Sequence, residues 1–231
     1  MTSKSTPPPI SELPEVLPLF PLTGTLLLPG NWLPLNVFEP RYRNLVQDAL
    51  DGEGYIGMIQ PLVPRQDNRP LPGAEKDVPE LYGVGCAGRI EECQETPDGR
   101  FLVALMGVHR FRIREEMPLF ERGYRRVAVD YADFDDEPAE TPAQPPSEEL
   151  LEAVKVFAQA QQLNLDMERL SVLPEPLLVN GLAVALPFAP AEKQALLEAG
   201  AEDRRGILLT LLRMAEDPTQ TASVEEPPVT N

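Results

Sequence analysis

Over the first 131 positions the apolar residues come in short runs, each broken by Pro, Gly or Asn. From about residue 147 they recur every three or four positions instead. Period 2 marks half-buried strands and period 3.6 marks helices, so the chain reads as an α+β fold with strands first and helices second. VLPLFPL (16–22), TLLLP (25–29) and LPLNVF (33–38) predict three strands, with a turn at Pro29-Gly30-Asn31. Pro40 then suits a first helical position, where its missing N–H costs nothing. Tyr42, Leu45, Val46, Ala49 and Leu50 follow at helical spacing, and Gly52 is placed to close the helix in the left-handed conformation. Residues 55–60 predict another strand, and the proline-rich stretch 61–79 predicts a long surface loop.

Residues 81–96 and 100–114 flank Pro97-Asp98-Gly99, the signature of a β-hairpin. In strict alternation Phe101, Val103, Leu105, His109, Phe111 and Ile113 share one face, and Arg110, Arg112 and Arg114 share the other. Pairing Thr96 with Arg100 sets Cys93 opposite Val103 and Ala87 opposite His109. Gly83, Gly85, Gly88 and Gly107 inside these arms predict bulges or barrel corners. A last strand is predicted over 123–131.

Five segments follow from this walk. Residues 1–14 predict a disordered arm, and 15–131 a β-barrel. Residues 132–146 predict an acidic, proline-rich linker, 147–216 a helical bundle, and 217–231 a disordered acidic tail. Within the bundle, Ser147 caps a helix whose apolar stripe is Leu150, Leu151, Val154, Phe157 and Ala158. Further helices are predicted over 175–186, from Pro190 to Ala199 with Gly200 closing it, and over 202–216 with Ile207, Leu208, Leu211 and Leu212 inward.

Composition narrows the function. With 27 prolines in 231 residues, long uninterrupted helices are excluded over much of the chain. A formal net charge of −17 repels phosphate backbones and anionic lipid surfaces, so nucleic acid and membrane are disfavoured partners. Two cysteines make no disulfide framework, and no apolar leader opens the chain, which points to the cytoplasm. No phosphate loop, dinucleotide fingerprint or G-x-S-x-G elbow is present, so no cofactor is predicted. Cys86, Cys93 and the single His109 lack the spacing of a zinc site. A hydrolase using Cys86 or Cys93 with His109 remains as an alternative: with Thr96 opposite Arg100, Cys86 and His109 point to opposite faces, whereas a one-residue slip would place them side by side. A basic island, Arg110, Arg112, Arg114, Arg122, Arg125 and Arg126, offers an RNA-binding alternative. The competing account is that these arginines pair with the protein's own surplus carboxylates.

LPLFPL (17–22), LLLPGNWLPLNVFEPRYRNLV (26–46), ELYGVGCAGRIEECQETPDGRFLVALMGVHRFRI (80–113) and LAVALPFAPAEKQALLEAG (182–200) together resemble the Lon N-terminal substrate-binding domain family. The resemblance implies a PUA-like barrel followed by helices, and recognition of unfolded or peptide segments of other proteins, with a separate protease as a further candidate partner. Motifs for the ATPase and peptidase parts of Lon are absent, so the resemblance is to a stand-alone, non-catalytic member. The partner surface is expected at Trp32, Phe38, Glu39, Arg41 and Tyr42, facing the 61–79 loop, because large rigid aromatics are the usual binding hot spots. Phe38, Tyr42 and Trp32 also fit a core role. The secondary basic patch is Arg110, Arg112, Arg114, Arg125 and Arg126.

Overall fold

The computed structural model describes residues 8–63, 79–134 and 144–214. The predicted tail, half of the predicted arm and most of the 61–79 loop and the acidic linker lie outside the described residues. Among the described residues six strands form one sheet: β1 (Val16–Pro21), β2 (Trp32–Val37), β3 (Tyr55–Ile59), β4 (Val84–Glu95), β5 (Phe101–Glu116) and β6 (Arg125–Asp130). Their order is β2-β5-β4-β3-β1-β6, and β6 also pairs with β5. Five strands thus close a ring, while β2 extends the sheet from the first half of β5. Only β1 and β3 run parallel.

The ring is filled by Leu17, Leu19, Ile59, Ala87, Val108, Phe111, Val127 and Val129. Phe111 is the bulkiest of these, and two glycines make room for it. A Cβ on Gly85 would stand 2.5 Å from the Phe111 Cζ, and one on Gly57 would stand 3.2 Å from it. Closing a small barrel needs such small–large pairs across the taper.

The hairpin register is the one expected from the turn. Thr96 N donates to Arg100 O at 2.8 Å, Cys93 pairs with Val103, and Ala87 pairs with His109. Between those points two bulges cancel. Glu91 is the extra residue in β4 and Val108 the extra residue in β5. The Val108 bulge overturns the expected single apolar face of β5. One extra residue sends every later side chain to the other face. Phe101, Val103 and Leu105 therefore pack outside the ring, while Phe111 points into it.

Residues 25–29 are not the expected strand. A strand would turn Leu27 away from its neighbours, whereas the irregular backbone buries Leu26, Leu27 and Leu28 together. Helix α1 (Pro40–Asp51) buries Tyr42, Leu45, Val46 and Ala49. Leu50, expected on that face, is exposed. Five helices follow: α2 (Glu148–Ala160), α3 (Met167–Ser171), α4 (Glu175–Ala185), α5 (Pro190–Glu198) and α6 (Ala201–Met214). A single buried cluster includes Leu35, Val37, Met58, Val84 and Cys86 from the strands and Leu150, Phe157, Leu182, Leu197, Leu208 and Leu212 from the helices. Strands and helices therefore share one core.

Buried polar groups fix how the two halves meet. Gln60, at the end of β3, accepts from Gly24 N and donates to Pro190 O and the Gln194 side chain at 3.0 and 3.2 Å. Gln194 in turn donates to Val84 O at 3.1 Å. At the other end of α5, Arg110 and Arg204 donate to the carbonyls of residues 196–199. Cations there also complement the helix dipole.

Glu175 ties the N-termini of α2 and α4 to α6. It accepts from Ser147 N at 2.6 Å and from Arg205 Nε at 2.8 Å. Burial raises its pKa, but the Ser147 bonds and Arg205 together hold it below the ordinary carboxylate value. A depressed folded pKa contributes stability that is present above the unfolded pKa and lost as pH falls. Unfolding titrations should therefore show Glu175→Gln to be less stable than the parent at pH 7. The gap should narrow as the carboxylate protonates below about pH 4. An equal gap at both pH values would contradict this.

Candidate functional site

The strongest surface feature is the outer face of the β2–β5–β4 extension. Residues paired across neighbouring strands point the same way. The register therefore sets Trp32, Met106 and Arg89 in one row, Pro34, Ala104 and Glu92 in the next, and Asn36, Leu102 and Gln94 in the third. The opposite face of the same strands carries Leu33, Leu35, Val37, Phe101, Val103 and Leu105 into the core. The outward face is thus apolar at Trp32 and Pro34 of β2 and along β5, and polar at Asn36 and along β4. Trp32 is 49% exposed and Leu102 45%. Clustered exposed apolar side chains of this kind mark interaction surfaces.

The candidates expected from sequence divide on this surface. Trp32 stands on the face, and Phe38, just beyond β2, is 55% exposed. Tyr42 is not available: it is 5% exposed, stacked on Phe20 with centroids 4.2 Å apart. Burial raises its phenol to about 12, against the smaller opposing effect of Arg41. Glu39 and Arg41 form an ion pair at 2.9 Å beside it, and the Arg41 guanidinium lies 4.5 Å from the Tyr42 ring centre. Of the facing loop, only Pro61, Leu62, Val63 and Pro79 fall within the described residues. Pro34, Leu102, Ala104 and Met106 were missed. The available signal was the unbroken run Phe101–Met106, apolar on both faces, which a half-solvated strand does not need.

The basic patch is dispersed. Arg110 is 1% exposed and belongs to the interior, because the Val108 bulge turns it toward α5. Arg112 pairs with Asp133, and Arg125 holds Glu116 by two contacts, all at 2.6 Å. Arg114 occupies a bulge against β6, and Arg126 stacks 4.2 Å from the Phe120 ring centre. Arg110, Arg112, Arg125 and Arg126 are thus engaged with the protein's own groups, as the competing account of the island expects.

The hairpin register keeps both thiols away from His109. Cys86 is fully buried and pairs in register with Arg110, one position from the Ala87–His109 pair and on the other face. Burial, with Glu95, raises the Cys93 thiol pKa, the reverse of what a nucleophile needs. The His109 ring lies edge-on to Tyr131, 5.5 Å away. A groove of about 410 Å³ between the last turn of α1 and the barrel is lined by Glu15, Asp48, Glu53, Tyr55, Tyr124 and Arg126, among others. Its Asp48 is already occupied, accepting from the Tyr124 hydroxyl at 2.6 Å and from Arg122 at 2.8 Å. Among the described residues, no group of three His, Cys, Asp or Glu side chains could hold a metal, and no helix is long and apolar enough to cross a membrane.

The family model of the ATP-dependent protease La (LON) substrate-binding domain matches residues 16–213. The chain belongs to this family. A crystal structure of a Lon N-terminal domain protein from Xanthomonas campestris superposes with a TM-score of 0.57 at 27% identity, covering 84% of this chain and 97% of that one. The N-terminal domain of a Mycobacterium avium complex Lon protease gives a TM-score of 0.55 at 17% identity over 86% of this chain and 98% of its own, which shows the fold alone. The Lon protease of Dictyoglomus thermophilum is 33% identical over 104 residues, or 45% of this chain. Those residues make up only 12% of that protease.

Proposed function

We propose that this LON-domain chain is a non-catalytic module that binds unfolded or peptide segments of other proteins through the exposed Trp32–Leu102 face. The observation that carries the reading is an apolar sheet face, rimmed by polar side chains, on a member of a substrate-binding-domain family. Cys86 and Cys93 are not joined in a disulfide, which supports a reducing compartment such as the cytoplasm.

The single tryptophan sits on the face itself, so its emission is the natural probe. Titration with a permanently unfolded, carboxymethylated model protein should shift Trp32 emission to a similar extent at low and high salt, because apolar burial is little screened. Leu102→Asp keeps the reporter and should weaken binding about tenfold, the loss typical of a hot-spot residue. Trp32→Ala, read by the anisotropy of a labelled ligand, should weaken it at least as much without changing the unfolding midpoint. Unchanged affinity in both variants would move the surface elsewhere.

A further inference from the structure

The following inference rests on the proposed recognition role and specifies how the segment is held. We propose that the free edge of β2 takes up an extended segment as an added strand, so that recognition uses backbone hydrogen bonds as well as the Trp32 face. Among the described residues β2 pairs with β5 alone. Gly107 N donates to Asn31 O at 2.9 Å, which fixes the alternation of the antiparallel pair. Residues 33, 35 and 37 therefore exchange bonds with β5, Asn31 only accepts one because its N–H donates to Leu28 O, and residues 32, 34 and 36 turn their backbone groups to the open edge. Among the described residues, no segment outside the sheet bonds to those groups. The edge thus presents the N–H groups of Trp32 and Asn36 and the carbonyls of Trp32, Pro34 and Asn36. An unpaired row of this kind is a template for strand addition.

Two features select the occupant. Pro34 is central on the edge and has no N–H. In a symmetric, in-register pairing of two β2 edges, Pro34 would meet its own copy and two central bonds would be lost together. A foreign segment loses only one. The net charge of −17 then favours a neutral or basic segment over an acidic one. The occupant is therefore an extended, neutral-to-basic stretch of unfolded protein with apolar residues at alternate positions. Those residues lie over Trp32 and Pro34 while the backbone bonds the edge.

The probe is an eight-residue alternating Val-Lys peptide with blocked ends. Two further versions carry N-methyl groups, one at every Val and one at every Lys. A strand added at one edge uses the N–H groups of one parity only. One methylated peptide should bind about tenfold more weakly than the parent, and the other within about twofold of it. Asn36→Pro removes one edge donor without touching the bonds to β5, and should weaken the parent peptide several-fold at an unchanged unfolding midpoint. If that variant is misfolded, the methylated pair still decides. Two methylated peptides that bind like the parent would overturn strand addition while leaving the side-chain face intact. A parent peptide that leaves Trp32 emission unchanged at about 1 mM overturns the proposal. Loss of the unfolded-protein titration as well would overturn the recognition role itself. A concentration-dependent dimer that Asn36→Pro abolishes would replace the foreign segment by a second copy.

Discussion

Arg110→Met should lower the unfolding free energy by about 3 kcal/mol, the cost of stranding buried acceptors at a helix end. Its Nη1 donates to the carbonyls of Leu197, Glu198 and Ala199 at 3.0, 3.3 and 2.9 Å, and its guanidinium lies 4.5 Å from the Phe134 ring centre. Methionine fills most of the volume but donates nothing. Arg204 still bonds Leu196 O and Ala199 O, so part of the helix end stays satisfied, and the loss is one arginine's share. At roughly 2–4 °C per kcal/mol for a chain of this size, the midpoint should fall by about 6–12 °C. Arg110→Lys keeps the charge beside the helix dipole but loses the planar fork, and should recover only part of the deficit. Chemical denaturation monitored by circular dichroism reads both variants. A loss below about 1 kcal/mol would mean that water replaces the guanidinium at these carbonyls.

That arginine also shows where the sequence stops being legible. Simple alternation put Arg110 on a solvated face with Arg112 and Arg114. The turn fixed the ends of the hairpin correctly, because Thr96–Arg100 geometry is local. It could not reveal two bulges that cancel, since the register is the same before and after them. Between them, Gly88 pairs with Gly107 and Ile90 with Leu105. Helix α1 was readable from Pro40 and the spacing of its apolar residues, and Gly52 closes it as expected, but not in the left-handed conformation. Gly52 has φ −104°, and the left-handed residue is Gly54 at φ +80°. In α6 the expected inward set was rotated: Leu209 and Arg204 are buried, while Ile207 and Leu211 are half-buried. A buried arginine leaves no hydrophobic trace, so the pattern could not place that face.

The candidate surface was legible at one point and hidden at the rest. Trp32 stood out as a lone tryptophan after a turn, and it is exposed. Tyr42 shared its chemistry, but its place on the apolar side of α1 commits it to Phe20 and the core. Leu102, Ala104 and Met106 join Trp32 only through the cross-strand register of β2 with β5, strands separated by the whole of α1, β3 and β4. Pairing at that range depends on the closed sheet, not on any local signal.

Gly107→Ala should be as damaging as the loss of Arg110, for a backbone reason. A Cβ on Gly107 would run into the carbonyl oxygen of Leu28 and stand 2.8 Å from its carbonyl carbon. Neither atom can swing aside as a flexible side chain can. The same residue holds the 26–31 segment by two bonds, Gly30 N to Gly107 O and Gly107 N to Asn31 O, each 2.9 Å. Relieving the clash therefore stretches those bonds and lifts Leu26, Leu27 and Leu28 from the core. Overpacking of this kind costs about 3 kcal/mol at its upper range. Gly107 also precedes the Val108 bulge and sits beside the Met106–Trp32 pair, so the tryptophan emission of the folded variant should change. Gly181, inside α4, is the control. Nothing lies within 4 Å of a Cβ there and its φ is ordinary for a helix. Gly181→Ala should stabilise by about 0.5–1 kcal/mol, by narrowing the unfolded ensemble. The two alanines should thus move the midpoint in opposite directions. A loss below about 1 kcal/mol for Gly107→Ala would show that the 26–31 segment yields without disturbing the sheet.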